Sequence, residues 1–333
     1  MAEAATRRVT SADVARVAGV SRATVSYVLN DTPHQTISAA TRARVLEAAA
    51  GLGYAPSAAA RALRTGRSDV VLCLLPDWPI GHEVGALLGN LSAELARAGL
   101  TFVAHPGSRE DRPIAELWKA ITPAAVLAFL DFTDAEIDAM RAAGVALVVA
   151  LLGRDRRRRS ELEVPQQLVG RLQADHLAAA GHTRIGYAYP DDDRVRIFAD
   201  PRLDGARTAC AARGLDEPVV RTVALEVPAA AQTVQRWRAE GVTAVCAYND
   251  EVALAVLAGL RRHGLAAPAD LAVIGVDDIP AARLAVPPLT TITTDQLTLA
   301  AHLATTVVAA VNGRPEPEHD VTRIVQVVAR DSA

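Results

Sequence analysis

Apolar residues in the first 55 positions recur at helical spacing, in short blocks bounded by residues that start or stop helices. In SADVARVAGV (11–20), Val14, Val17 and Ala18 share a face. Thr10 or Ser11 can cap its start, and Gly19, which turns left-handed at no steric cost, ends it. Ser21 then caps a second block with Val25, Val28 and Leu29 inside. SAATRARVLEAAAGL (38–52) predicts a third helix with Val45, Leu46 and Ala49 on one face. Pro56 suits a helix start, Ser57 to Arg64 reads as about two turns of helix, and Gly66 stops it.

After residue 68 the pattern changes. Continuous apolar runs, DVVLCLLP (69–76), LTFVAH (100–105), AAVLAFL (124–130) and VALVVALL (145–152), alternate with segments of helical period such as GALLGNLSAELARAGL (85–100). Runs apolar on both faces are strands of a covered parallel sheet. A second round follows the polar stretch 153–163: RIGYAYP, VVRTVAL, AVCAYND and LAVIGVDD. Two rounds predict two similar lobes. Ligands of such sheets sit beyond the carboxyl ends of the strands, which singles out Asp77 and Trp78, Asn249 and Asp250, and Asp277 and Asp278. Each is also a plausible loop or cap residue, and capping alone would explain Asp250.

Charge sharpens this division. The net charge is −3, yet residues 1–67 hold nine Arg against Glu3, Asp13, Asp31 and Glu47. A basic head on an acidic body fits a polyanion-binding module attached to something else. The three cysteines, Cys73, Cys210 and Cys246, have neither metal nor disulfide spacing. MAEAATRRVT lacks the apolar core of a secretory signal, and no window approaches the roughly 18 apolar residues of a membrane span. The expectation is a cytoplasmic, nucleoid-associated protein with no membrane partner. RDRRRR (154–159) and DDDR (191–194) read as solvated loops; the latter lacks the Gly and distal Glu of a calcium loop. No nucleophile elbow, phosphate-cradling glycine loop or His pair with a carboxylate is present, so neither an enzyme nor a cofactor is expected.

Two short helices joined at a Gly make a helix-turn-helix, whose second helix enters the DNA major groove. Arg22, Ala23 and Tyr27 fall on its outward face: Arg pairs bidentately with guanine, Ala meets a thymine methyl, and Tyr reaches a base or phosphate. Ser21, Thr24 and Ser26 are candidate phosphate contacts. Alone, this pattern equally fits a helical hairpin with solvated polar residues. Leu63 between Arg61 and Arg64 adds weight, since a Leu flanked by two Arg on a marginal helix suits a minor-groove wedge.

TSADVARVAGVSRATVSYVLN, TRARVLEAAAGLGYAP and AARALRTGRS closely resemble the head and hinge of the lac and galactose repressor family. GHTRIGY (181–187), RLDG (202–205), YNDEVALAVLAGLRRHGL (248–265), ADLAVIGVDD (269–278) and PPLTTI (287–292) resemble its second lobe. The resemblance implies a small all-α helix-turn-helix head joined by a hinge helix to a periplasmic-binding-protein-like α/β body of two lobes with parallel sheets. The head would span 1–55 and the hinge 56–68. Lobe 1 would comprise 69–165 plus 292–318, and lobe 2 166–291 plus 319–333. It implies a homodimeric transcriptional regulator, a repressor by the family's habit, on a palindromic double-stranded operator. A small-molecule effector, a sugar or sugar derivative, would sit between the lobes. Ala60 and Leu63 become minor-groove contacts, Arg202, Asn249 and Asp277 effector contacts, and Leu254 and the region near Ala285 the dimer face. No coiled coil follows residue 330, so a dimer is expected over a tetramer.

The sequence departs from the family where Ser57 replaces Asn and where the loop DTPHQTI (31–37) is long. After Trp78, WPIGHEV places His82 and Glu83 where two aromatics are usual. Leu151 or Leu152 stands for an acidic residue, and Gln166-Gln167 for Asp-Asn. These changes imply an atypical effector, with Trp78, His82 and Glu83 on the first-lobe side. A free-standing solute-binding protein would share the body but not the basic head.

Overall fold

The computed structural model describes residues 9–29, 35–54, 68–106, 114–129, 132–151 and 164–333. The chain divides into two compact units, Met1–Asp69 and Val70–Ala333.

In the first unit, α1 (Ser11–Ala18), α2 (Arg22–Leu29) and α3 (Ala39–Gly51) close around Val14, Ala18, Val25, Val28, Val45 and Ala49. Thr10 is the cap of α1, and the Asp13 carboxylate accepts from its N and Oγ1 at 3.0 and 2.7 Å. Gly19 follows at φ 65°. Ser21 and Ser38 Oγ accept from Thr24 N and Thr41 N at 3.0 and 3.2 Å. Two expected core positions point outward: Val17 is 54% exposed and Leu46 is also exposed, while Ala15 and Ala48 are buried instead. Helices of eight, eight and 13 residues in a three-helix core bury a single narrow stripe, and small Ala side chains let the helices cross closely.

In the second unit, β1 (Val70–Leu75), α4 (His82–Arg97), β2 (Thr101–Pro106), α5 (Ile114–Ile121), β3 (Ala125–Ala128), α6 (Asp134–Ala142) and β4 (Leu147–Ala150) alternate. Their strands form a parallel sheet of order β2-β1-β3-β4. Then come α7 (Gln166–Ala179), β5 (Ile185–Pro190), α8 (Arg196–Ala212), β6 (Val219–Val223), α9 (Val227–Ala239), β7 (Ala244–Ala247), α10 (Asp250–Arg262), β8 (Ala272–Val276), α11 (Pro280–Leu284), β9 (Thr290–Thr294), α12 (Gln296–Val311) and β10 (Val325–Val328). The second sheet has the order β10-β9-β8-β7-β5-β6, with β10 antiparallel. Central strands AVCA and AVIGV are buried throughout, whereas VVRTV, at the edge, alternates.

After β9 the chain leaves the second sheet, α12 packs along α4, and β10 returns to β9. Asp295 stands at this crossing and caps α12, accepting from Leu297 N, Thr298 N and Thr298 Oγ1 at 3.1, 3.0 and 2.6 Å. One apolar cluster includes Cys73 and Leu127 of the first sheet, Tyr187 and Ile274 of the second, and Leu299 and Leu303 of α12. The three cysteines are buried and unbridged, and burial pushes the Cys73 thiol up to about 12. No helix among the described residues is long and apolar enough to cross a membrane.

Candidate functional site

Two surfaces carry the residues singled out by the sequence. The first is α2. Its Val25 and Val28 are buried, while Arg22, Ala23 and Tyr27 are exposed on the opposite side and Thr24 and Ser26 are half-buried between. Ser21 Oγ accepts from Thr24 N and lies 2.9 Å from Thr24 Oγ1. Ala60 and Leu63, with RDRRRR and Leu152, lie outside the described residues.

The second is a cavity of about 650 Å³ between the two lobes of the body. Trp78, His82, Glu83, Arg202, Asn249 and Asp277 all line it, so segments from both lobes converge as the strand-end argument predicts. Leu151 and Gln166, two of the departures from the family pattern, line it too. Asp77 does not. It is exposed and lies 3.8 Å from Arg194 Nη1.

Arg202 is 7% exposed. Its Nε donates to Gln166 Oε1 and its Nη1 to the Tyr248 carbonyl, both at 2.8 Å. Nη2 lies 3.9 Å from Asp277 Oδ1, and the guanidinium sits over the Tyr248 and Phe198 rings at 5.0 and 5.8 Å. The crossing of α7 and α8 delivers it. A Cβ on Gly170 would lie 1.7 Å from the Arg202 backbone O, and one on Gly205 2.0 Å from Gln167 O. Only glycines permit this backbone approach.

Asp277 and Asp278 take left-handed φ angles of 107° and 48°, unusual for residues with a Cβ. Surrounding bonds hold them there. Asp277 N donates to Ile292 O at 2.7 Å, Ile279 N to Asp250 Oδ2 at 2.9 Å, and Arg283 to Asp278 at 3.1 Å. Asp250 is therefore not the cap of α10. Asn249 caps it, its Oδ1 accepting from Val252 N at 3.0 Å, and Asp250 is fully buried with Thr291 Oγ1 donating to it at 2.6 Å. The cap position falls where the backbone is still extended, one residue earlier. Burial raises the Asp277 carboxyl, with Arg202 opposing, and pushes Asp250 up to about 7.

On the first-lobe side, Glu83 lies in the first turn of α4 and accepts from Gln296 Nε2 at 2.6 Å. Burial, then the Asp277 charge, pushes it up to about 8. Trp78 packs edge-on to Phe129 at 5.6 Å and against Phe198 at 4.8 Å, linking the lobes, while its buried Nε1–H has no acceptor among the described residues. Gln296, Phe129 and Phe198 escaped the sequence reading. Gln296 follows β9, a strand of four Thr and one Ile that carries no apolar run, so its strand end gave no signal. The DDDR segment forms a short 3₁₀ turn with Asp192 clasping Arg194, and no metal-holding cluster occurs among the described residues.

The sequence profile of bacterial regulatory proteins of the lacI family matches residues 10–57, and that of a periplasmic binding protein-like domain matches residues 174–333. The chain is 30% identical over 317 residues to the HTH-type transcriptional regulator GalR of Escherichia coli, covering 92% of this chain and 90% of that one. It is 33% identical over 301 residues to CelR of Thermobifida fusca, covering 86% and 87%. Its fold matches a lac repressor dimer bound to operator and the anti-inducer ONPF, with TM-score 0.78, 24% identity and 98% and 99% coverage. A CelR–cellobiose complex matches with TM-score 0.65, 27% identity and 98% and 100% coverage. With a helix-turn-helix head, a two-lobed body and relatives aligned over nearly their whole length, the chain belongs to the lacI family of bacterial transcriptional regulators, and not to an enzyme family.

Proposed function

We propose that the protein is a cytoplasmic, nucleoid-associated repressor that binds a palindromic operator as a homodimer and answers to a small-molecule effector in the interlobe cavity. The observation that carries this reading is the pairing, in one chain, of an exposed Arg22-Ala23-Tyr27 face on α2 with a roughly 650 Å³ cavity lined from both lobes. Arg22, Ala23 and Tyr27 read base edges, Ser21, Thr24 and Ser26 hold phosphates, and Ala60 and Leu63 enter the minor groove. Trp78, His82, Glu83, Arg202, Asn249 and Asp277 hold the effector. A carbohydrate is the class favoured by the relatives, one of which was solved with cellobiose. The lobes divide as 69–165 plus 292–318 and 166–291 plus 319–333, a division supported by the two sheets and the crossing at Asp295. Closing the cleft alters the spacing of the two heads, which couples effector and operator affinities.

Fluorescence anisotropy of a labelled palindromic duplex from upstream of the protein's own gene tests this. The expected result is tight, salt-sensitive binding that one compound of a carbohydrate panel weakens or strengthens. Binding no tighter than to random duplex would overturn it.

A further inference from the structure

Six carboxylates line the cavity: Glu83, Asp191, Asp192, Glu226, Glu251 and Asp277. Asp192 is already clasped by Arg194, and against the other five stand only Arg202 and His82 among the described lining residues. Arg202 is already partly engaged and shares its charge with a carboxylate. Its Nε is given to Gln166 and its Nη1 to the Tyr248 carbonyl, and Nη2 faces Asp277. His82 is exposed and already acts on Asp277. A phosphorylated or acidic sugar would enter against this field and meet a guanidinium that already faces Asp277.

Glu83 and Asp277 come from opposite lobes; Glu83 has no cationic partner among the described residues, and Asp277 has Arg202 at 3.9 Å. Glu83 has one neutral donor, Gln296, and feels the repulsion of Asp277, Asp250 and Asp278. Asp277 has Arg202 at 3.9 Å, His82 at longer range and Glu251 opposing. A second observation is independent of charge. Trp78 is 6% exposed, lines the cavity, and keeps a buried Nε1–H without an acceptor, as Gln296 keeps a buried Oε1 without a donor. Buried polar atoms without partners cost stability unless something else satisfies them. The walls beside them, Phe129, Leu151, Phe198 and Leu225, are apolar and suit the flat face of a ring.

We infer that the cavity is built for a cationic, hydroxylated ligand of the amino-sugar class, its ammonium set between Glu83 and Asp277 and a hydroxyl accepting from Trp78 Nε1. This rests on the effector role proposed for the cavity. An ammonium answers both carboxylates at once and donates to Gln296 Oε1, whereas a neutral hydroxyl brings no charge to set against them. Burial and neighbouring carboxylates push Glu83 up to about 8, and a cation seated beside it acts in the opposite sense and favours loss of the proton.

Isothermal titration of the full chain tests the inference, with D-glucosamine and D-galactosamine set against their N-acetyl forms, the parent hexoses and D-galacturonate. The expected result is that one free amine binds at least tenfold more tightly than its acetylated and parent counterparts, and that galacturonate does not bind. In buffers of different ionisation enthalpy at pH 7, amine binding should release a proton. Glu83→Gln should remove the preference for the amine. A neutral sugar bound as tightly as the amines, a preference for galacturonate, or no binding of either amine would overturn it. Operator anisotropy run beside the titration keeps the two readings apart. A protein that binds operator and answers a neutral sugar sinks only the amine assignment, and one that does not bind operator sinks the regulator reading itself.

Discussion

Arg202 organises the cavity wall through contacts within the protein itself. Removing it as Arg202→Ala strands Gln166 Oε1, the Tyr248 carbonyl and Asp277 in a buried setting. Breaking such a cluster from one side costs about 2–4 kcal/mol. Thermal melting should therefore show a body several degrees less stable, and effector response should vanish in the same variant. A normal melt and normal response would refute both roles. Asp250 and Glu83 make a second prediction. In the folded protein they titrate at about 7 and about 8, against ordinary values of 3.8 and 4.5. Between those limits the native state binds more protons than the unfolded chain, so stability falls as pH rises from about 4 to 8. The carboxyls lowered by hydrogen bonds, such as Asp295, act in the opposite sense and only below about 4. Melting across pH 5–8 should show this decline, and Asp250→Asn should flatten it while keeping an acceptor for Thr291. An unchanged slope in that variant would exclude Asp250 as a source.

The pairing of α7 with α8 is the element on which the second-lobe wall depends. Gly205→Ala places a methyl 2.0 Å from a backbone carbonyl oxygen that cannot rotate away. The helices must separate, at a cost of about 1–3 kcal/mol or more. Separation also draws Arg202 from Gln166, so effector affinity should fall by more than the melting shift alone implies. Titration and melting of the one variant check this, and unaltered affinity would show the crossing to be slack. Most elements were legible in the sequence, because buried parallel strands are continuous apolar runs and the glycines and caps mark helix ends. Those missed share a physical cause. β9 is mostly Thr, yet Thr290 and Thr291 are fully buried, their polar groups met by Ser332, Arg330 and Asp250. A polar strand satisfied from distant segments leaves no local pattern. Val17 and Leu46 were placed inward because one residue turns a helix by only about 100°, and a narrow core selects between neighbours by size.

At the scale of the molecule, the cavity's character was the least legible feature. Trp78 and Glu83, Phe198 and Arg202, Asn249, Asp277 and Gln296 are far apart in sequence and meet only through the crossed connection of the lobes. Strand ends pointed to several of them, but not to how their charges add. Assembly is the remaining question. Leu284 and Val286 are 81% and 71% exposed around α11, beside the half-buried Ala285, which, like Leu254, packs against one apolar cluster. Large apolar side chains held that far into water beside one another mark a surface that meets another protein, and under the homodimer proposed above a second copy of this chain would cover it. A charge introduced there, as Leu284→Glu, should leave melting within about 0.5 kcal/mol because little is buried in the single chain. Sedimentation should turn from dimer to monomer. Two linked heads gain about 10²–10⁴-fold from effective concentration, so affinity for the palindrome should drop by about 10²-fold or more while affinity for a half-site stays the same. A variant that remains dimeric, or that loses half-site and palindrome affinity equally, would place the interface elsewhere.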